Sequence, residues 1–279
     1  MTRVRMNLLK YTGRKRLAID FENDELYAAC KAVEPFLDRL VLVGGWAFRA
    51  LMNIWRKEER ETKDTDFAVE LVSREAFQDI SNHLLANGFK HRNVSDKLKK
   101  RKILEYSFEQ QDKWIEILPV GEFARDITDL DLKEYRLAFD DNEMLNVRNA
   151  AGDALSLKVV HVCSLVVMKV FSYTDRWDER RKDLTDLEYL TEHYGVENDK
   201  YGLTVKLKEW FEEKNVPYEM ASSHLLGREI QNKLQDELFI ETEKRLIKII
   251  ERISDSEREE TALTKRLNIL LEYFQDKYE

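Results

Sequence analysis

The sequence predicts an α/β (α+β) protein: a small mixed sheet flanked by helices, followed by a helical domain. Short segments with strand character alternate with helix-like segments up to about residue 120, which is the order that builds a sheet packed against helices. From residue 155 onward the pattern changes to long helical segments. We therefore expect an α/β domain over residues 1–154 and a helical domain over residues 155–279.

The predicted sheet comes from three segments. The run RLVLVGGW followed by AFRALMNIWRK predicts a strand, a tight turn and a helix. The stretch DTDFAVELV alternates as a strand does, and Ser73 is a good cap for the helix that follows and stops at Gly88. Residues 102–108 and 114–118 predict two strands joined by a polar turn.

The rest of the chain predicts helices. Residues 24–37 have helical spacing near the start of the chain. In the second half, LKVVHVCSLVVMKVFSY is strongly apolar, and RRKDLTDLEYLTEHYG is amphipathic and closes at Gly195. Residues 236–253 and 258–278 read as charged amphipathic helices.

Composition favours a soluble protein of the cytoplasm. The 279 residues are 43% hydrophobic and 36% charged, with only 9 glycines and 3 prolines, which suits a helix-rich globular fold. The two cysteines, Cys30 and Cys163, lie in apolar helical contexts and are expected to be free thiols. The basic N-terminal stretch lacks an apolar core, so we expect no secretory leader, and no apolar run is long enough for a membrane span. The net charge of -8 argues against general coating of nucleic acid.

Gly44 and Gly45 follow the first strand directly. Glycines allow a turn with positive φ and let a ligand approach the backbone, and the start of the next helix offers free N–H groups to a phosphate. On its own the pair is a weak signal, because Gly-Gly occurs in many turns.

Asp64 and Asp66 strengthen the indication of a phosphate-binding site at the glycine turn. Alternate residues of a strand project to the same face, so the two carboxylates lie together and repel each other. A hard divalent cation such as Mg²⁺ would compensate them, although two solvated aspartates at a strand end are the alternative. Glu116, between Ile115 and Ile117 on a later strand, is a third candidate ligand or a surface residue of an edge strand.

These segments resemble the nucleotidyltransferase superfamily, which has the DNA polymerase beta-like minimal fold. VLVGGWAFRAL, TKDTDFAVEL and WIEILPV match its order of hydrophobic strand, glycine turn, Asp-x-Asp and third carboxylate. VMKVFSYTDRWDERRKDLTDLEYL is similar to the second block of the AbiEii-like abortive-infection toxin branch. Together the matching stretches span residues 40–190, about half of the chain.

The resemblance implies a role for each matching residue. Gly44 and Gly45 would admit the triphosphate, and Asp64, Asp66 and Glu116 would hold the metal ions and carry the catalysis. Lys169 would reach the phosphates, and Asp183 would shape the pocket or fix a basic neighbour. Candidate phosphate or acceptor contacts, which the sequence does not rank, are Arg176, Arg180 and Lys182.

The sequence departs from the family pattern in three ways. The gap between Gly45 and Asp64 is longer than usual, Thr65 stands where an aliphatic residue is common, and Glu116 replaces the commoner aspartate. The last departure lengthens the reach of the third carboxylate by one methylene and leaves a catalytically weak enzyme as an alternative.

Several residues keep a purely structural alternative. Lys169 could snorkel at the edge of an apolar helix, and Asp183 and Asp186 could form the charged face of a helix start. The basic run at 97–102 could bind an RNA acceptor or protect a sheet edge. Trp46 follows the glycine turn and could border the nucleotide. The sequence has neither a P-loop motif nor a G-x-S-x-G nucleophile elbow.

The expected function is therefore that of an EC 2.7.7-type nucleotidyltransferase. It would bind ATP or another nucleoside triphosphate with Mg²⁺ or Mn²⁺ and move the nucleoside monophosphate to a hydroxyl of RNA, such as transfer RNA, of a protein or of a small molecule. The helical domain would contribute to the pocket. The resemblance implies a toxin with a cognate antitoxin as partner. The alternatives are an aminoglycoside-type nucleotidyltransferase and a nucleotide-binding protein of the same fold without catalysis.

Overall fold

The computed structural model describes residues 18–52, 62, 64–71, 73–91, 107–110, 113–124, 132–194, 216–256 and 261–275. Within these ranges eight strands form one sheet. The strands are β1 (Ile19–Glu22), β2 (Leu40–Val43), β3 (Asp64–Glu70), β4 (Lys90–His91), β5 (Ser107–Gln110), β6 (Lys113–Val120), β7 (Asn142–Arg148) and β8 (Ala154–Val160).

The sheet is mixed, as the sequence predicts, and its strand order is β1-β7-β8-β2-β3-β6-β5-β4. Strand pairs β1–β7, β8–β2 and β3–β6 are parallel, and the other neighbours are antiparallel. Strand β2 is buried along its whole length, because neighbouring strands cover both of its edges and the core covers its faces. This central position explains its unbroken apolar sequence.

The α-helices in the described ranges are numbered in chain order. They are α1 (Asp24–Ala32), α2 (Gly44–Leu51), α3 (Arg74–Ala86), α4 (Leu137–Asp140), α5 (Val162–Asp175), α6 (Arg181–His193), α7 (Ala221–Lys233), α8 (Asp236–Ser256) and α9 (Ala262–Gln275). Short 3₁₀ helices cover Glu34–Phe36, Lys133–Arg136 and Tyr218–Met220.

Capping side chains fix several helix starts. The predicted cap Ser73 accepts a hydrogen bond from the Ala76 N–H at 3.3 Å, and Asn23 caps α1 in the same way through the Leu26 N–H at 2.8 Å. The predicted helix over 24–37 divides at Val33 into α1 and a 3₁₀ helix with a proline in its first turn.

Helix α5 is the centre of the molecule's second half. Nearly all of its residues are buried, and it packs against α6, α8, α2 and the 3₁₀ helix Lys133–Arg136. Helices α7 and α9 pack against each other and against α6. The apolar sequence of α5 follows from this position, since a helix that is covered on all sides has no polar face.

The expectation of helix from residue 155 is wrong for its first residues. Residues 155–160 belong to β8, which pairs antiparallel with β7 and parallel with β2. The helix begins only after His161, whose extended backbone and imidazole cap the first turn through the Cys163 N–H at 3.2 Å. The predicted domain boundary thus falls at the start of a strand, and the division into two domains stays a prediction.

Some predicted segments lie partly or wholly outside the described residues. The antiparallel pair β5–β6 forms the predicted hairpin, while residues 102–106 of its first strand lie outside the described residues. The basic run at 97–102 and Gly195 also lie outside them. Strands β1, β4, β7 and β8 are additions that the sequence patterns did not indicate. Across the described ranges, no helix combines the length and apolarity needed to cross a lipid bilayer.

Candidate active site

The glycine turn lies directly against the Asp-x-Asp strand. Strand β2 ends at Val43, whose partner on β3 is Asp66, and α2 begins at Gly44. Gly44 has a φ of +67°, and a Cβ placed on it would lie 2.0 Å from Asp66 Oδ2. No side chain fits there, so the turn and the carboxylate require glycine at this position.

Sheet register brings the three predicted carboxylates together. The parallel pairing of β3 and β6 sets Asp66 opposite Glu116, and Asp64 lies two residues earlier on the same face of β3. One oxygen from each of the three carboxylates lies within 4.8 Å of the others. Among the described residues this is the one cluster of His, Cys, Asp and Glu side chains with a spacing suited to a metal ion.

The charges in this cluster oppose one another. Burial raises the pKa of Asp66 well above its ordinary value, and the carboxylates of Asp64 and Glu116 raise it further. Arg180 and Lys169 act in the opposite direction, but they do not offset these effects. The three half-buried acids therefore form a site that favours a cation.

Ser107 orients the third carboxylate. It lies opposite Glu116 in the antiparallel β5–β6 pair, and its hydroxyl donates to Glu116 Oε1 at 3.1 Å. Its side chain is buried, so the hydrogen bond is shielded from water. Sequence reasoning missed Ser107, and the register of a hairpin between residues 107 and 116 is the signal that could have found it.

Arg180 supplies a cation beside the cluster. Burial alone disfavours its charge, but Asp183, Tyr135, Asp66 and Glu116 together raise the pKa of its guanidinium. Of the other cations that the resemblance suggested, Lys182 is exposed in the first turn of α6, and Arg176 is half-buried after α5.

Tyr135 is a second residue that the sequence did not indicate. It lies in the 3₁₀ helix Lys133–Arg136 and packs against the core. Burial raises the pKa of its phenol, and the negative charges of Glu134 and Asp66 add to this. Tyr135 is therefore a neutral hydroxyl beside the acidic cluster at physiological pH.

Lys169 is held by two aspartates. Its ammonium lies 2.6 Å from Asp183 Oδ1 and 2.8 Å from Asp186 Oδ2, and its side chain is buried between α5 and α6. Ser172 donates to the other Asp183 oxygen at 2.8 Å. Although burial opposes the charge of Asp183, Lys169 lowers the pKa of that carboxyl below its ordinary value. The structure thus brings together Lys169 and Asp183, which lie 14 residues apart in the second matching segment.

Trp46 does not border the turn as a free aromatic surface. Its side chain is 2% exposed and lies in the core, with the Arg49 guanidinium 4.6 Å from its ring centroid. The core and Arg49 cover most of the ring, and the expectation that Trp46 borders the nucleotide stays a prediction.

Comparison with known proteins identifies the family. The family model described as "Nucleotidyl transferase AbiEii toxin, Type IV TA system" matches residues 26–268. The chain belongs to this family. As an AbiEii-family member it is a nucleotidyltransferase, and its family is one of toxin–antitoxin systems. The match covers strands β2–β8 and the helices from α5 to the first half of α9.

Other comparisons add little to the AbiEii assignment. Among solved structures the chain is similar to the antibiotic-resistance factor ANT(2'')-Ia at 11% identity, over 68% of this chain and 92% of that chain. The TM-score is 0.34, and a likeness at this level carries no argument about function. No curated protein matches the chain.

Proposed function

We propose that this nucleotidyltransferase moves a nucleoside monophosphate from a nucleoside triphosphate onto a hydroxyl acceptor, with Mg²⁺ or Mn²⁺ as cofactor. The observation that carries the proposal is the contact of the glycine turn with Asp66 inside a cluster of three carboxylates. The turn gives a phosphate access to the backbone beside the acids, and the acids need a cation to relieve their mutual repulsion.

Asp64, Asp66 and Glu116 are the residues that would hold the metal. Carboxylate oxygens are the ligands that hard divalent cations prefer, and the spacing of the three acids suits a shared ion. A bound ion would polarise the phosphoryl oxygens and offset the charge on the leaving pyrophosphate. Ser107 would keep Glu116 in the orientation that this binding needs.

The cations next to the cluster would act on the phosphates. Arg180 lies in the field of Asp66 and Glu116, and its planar guanidinium suits phosphate oxygens. Lys169 would contribute through its charge, since Asp183 and Asp186 already hold its ammonium. Asp183 would fix Lys169 and shape the pocket, while Lys182 stays a candidate contact for phosphate or acceptor.

The reaction forms one bond and breaks one. The acceptor oxygen attacks the α-phosphorus, the bond from that phosphorus to the bridging oxygen breaks, and pyrophosphate leaves. The acceptor hydroxyl loses its proton in this step, and we assign its orientation or deprotonation to Glu116. This transfer depends mainly on positioning and charge, which is what the cluster offers.

The toxin–antitoxin description of the family supports a proposal for the biological role. We propose that the protein acts as the toxin of a toxin–antitoxin pair, with RNA, such as transfer RNA, as the first acceptor to test and a protein hydroxyl as the second. A cognate antitoxin would be its partner. Nucleoside triphosphates are cytoplasmic metabolites, so we place the activity in the cytoplasm.

A label-transfer assay tests this function. Purified protein is incubated with Mg²⁺, each α-labelled triphosphate in turn, and total RNA, a protein extract or aminoglycosides. We expect label on one acceptor class, lost in Asp64→Asn and Asp66→Asn and retained in Asp79→Asn, which changes an exposed aspartate of α3. Label on an aminoglycoside alone would replace the toxin proposal, and nucleotide binding without transfer to any acceptor would overturn the enzymatic one.

A growth assay tests the toxin role separately. Induction of the wild type should arrest growth, and Asp66→Asn at equal protein level should not. Arrest that persists in Asp66→Asn would show that toxicity does not depend on nucleotidyl transfer.

A further inference from the structure

Thr62 lies beside the glycine turn, two residues before Asp64. A Cβ placed on Gly45 would lie 2.8 Å from both Oγ1 and Cγ2 of Thr62, so the threonine side chain packs directly on the Gly45 backbone. Neither the sequence pattern nor the resemblance assigned a role to this residue. Its place between the turn and the Asp-x-Asp strand puts it at the site where a phosphate would lie.

The Thr62 hydroxyl is buried. Its Oγ1 atom is shielded from solvent and forms no hydrogen bond with the residues that the structure describes. A buried hydroxyl without a partner costs about 1–3 kcal/mol. Among the residues that the structure describes, no other buried side-chain hydroxyl lacks a partner; that of Thr242, for example, donates to the Leu238 carbonyl at 2.6 Å.

No side chain in the described part of the chain caps the helix start next to Thr62. Val43 is the N-cap of α2 and provides no side-chain hydrogen bond, whereas α1, α3 and α5 begin with Asn23, Ser73 and His161 caps. The first N–H groups of a helix have no acceptor within the helix. Gly45 and Trp46 in this first turn are buried, so water does not readily replace a cap.

We propose that the Thr62 hydroxyl donates a hydrogen bond to the polyphosphate of the nucleotide while the first turn of α2 presents its N–H groups to the same phosphates. This inference rests on the proposed function and adds a binding residue to its site. An anionic oxygen at the turn would satisfy the orphan hydroxyl and the uncapped helix start at once. The methyl group of Thr62, packed on Gly45, would keep the hydroxyl in place.

Two substitutions separate the hydroxyl from the methyl group. Thr62→Val keeps the shape and removes the hydroxyl, and Thr62→Ser keeps the hydroxyl and removes the methyl. Titration calorimetry with Mg²⁺ and a non-hydrolysable nucleoside triphosphate analogue measures Kd. We expect Thr62→Val to raise Kd about tenfold, because a hydrogen bond to a charged group is lost, and Thr62→Ser to stay within about threefold of the wild type. In transfer assays the loss in Thr62→Val should appear in KM more than in kcat.

A stability measurement guards against a merely structural effect. Chemical denaturation without ligand should show Thr62→Val to be as stable as the wild type or more stable, since a methyl replaces an unpartnered hydroxyl. Thr242→Val is the matched control and should leave the nucleotide Kd unchanged. A wild-type Kd in Thr62→Val, or an equal loss in Thr62→Ser, would overturn the inference and leave the proposed function standing. A wild type that binds no nucleotide would overturn both.

Discussion

Acidic side chains lie close together in two regions of the molecule, and the regions differ in how far basic side chains balance their charge. In the catalytic cluster, Asp64, Asp66 and Glu116 face one another, and burial together with their repulsion raises the pKa of Asp66. At the N-terminal end of α5, by contrast, acids alternate with bases. We call this second region the His161 cluster, defined by Asp141, Glu143, His161 and Lys233.

The acids of the His161 cluster have basic partners within the protein. Lys233 pairs with Asp141 and donates to His161 Nδ1 at 3.0 Å, and the Cys163 N–H donates to the same nitrogen at 3.2 Å. Two donors at Nδ1 favour the tautomer with its proton on Nε2, and Glu143 Oε1 lies 3.7 Å from that nitrogen. These contacts join β7, α5 and α7. Acids with internal partners serve stability, whereas acids without enough countercharge are available to a ligand.

The sharpest test of this difference is Asp66→Asn, compared with Asp141→Asn. Loss of a metal ligand should lower kcat/KM for transfer on the order of ten-thousandfold, or about 5 kcal/mol. In metal-free buffer the same variant should be as stable as the wild type or more stable. The reason is that a raised pKa in the folded protein means that the charged carboxylate opposes folding at neutral pH.

Asp141→Asn should do the reverse, with lower stability and retained transfer per folded molecule. Urea denaturation in EDTA and initial rates in excess Mg²⁺ measure the two quantities. A loss of metal-free stability in both variants would show that the two regions do not differ in the way proposed.

Lys169→Met tests a third set of acids, Asp183 and Asp186, which share the Lys169 ammonium between α5 and α6. Its removal should destabilise the protein by about 3–5 kcal/mol, because Asp183 and Asp186 would stay buried without their cation. Denaturation at pH 7 measures the effect. Lys182→Met, an exposed lysine in α6, is the control and should change stability by less than about 0.5 kcal/mol.

The pH dependence of that loss has a defined sign. In the wild type the pKa of Asp183 is lowered, so its contribution to stability is present above the unfolded-state pKa of about 4 and is lost as pH falls through the folded value. In Lys169→Met the stability deficit should be largest at neutral pH and shrink below about pH 4, where the carboxyls protonate. A deficit that grows on acidification would contradict the assigned ion pair.

The features of the site that depend on local sequence patterns could be predicted from the sequence. Gly44, Gly45 and the Asp-x-Asp pair lie within one strand–turn–helix unit and the strand that follows it, and their side chains follow from turn geometry and strand alternation. Glu116 was a candidate because an acid between Ile115 and Ile117 needs a partner or a metal, and the family resemblance gave it the role of third carboxylate. The pairing of Asp66 with Glu116 across parallel strands is nonlocal, and the structure supplied it.

Residues that depend on long-range packing were missed. Ser107 reaches Glu116 through a hairpin register, and Tyr135 lies in a 3₁₀ helix; neither leaves a periodic signal in the sequence. Residues 155–160 were assigned to a helix because a short buried strand and a buried helix share the same apolar run. The extended His161 that separates strand from helix looks like any other residue in that run.

Ser107→Ala should have a smaller effect on the catalytic cluster than the loss of a metal ligand. The variant removes the donor to Glu116 and should weaken Mg²⁺ binding about tenfold, as is usual for a residue that orients a metal ligand. Titration calorimetry and the Mg²⁺ dependence of transfer measure it. Ser81→Ala, a buried serine of α3, should leave the Mg²⁺ affinity unchanged. If saturating Mg²⁺ does not restore the transfer rate of Ser107→Ala, the serine has a role beyond holding Glu116.

Lys233→Met probes the His161 cluster and should have the smallest effect. The lysine side chain is 27% exposed, so water can partly solvate Asp141 after its loss, and we expect a destabilisation of about 1 kcal/mol. Transfer per folded molecule should not change, because the cluster holds β7, α5 and α7 together without contributing to the metal site. Lys248→Met, which removes an exposed lysine of α8, is the matched control. A Lys233→Met variant of normal stability but reduced transfer would reverse the comparison and give the His161 cluster a part in the reaction.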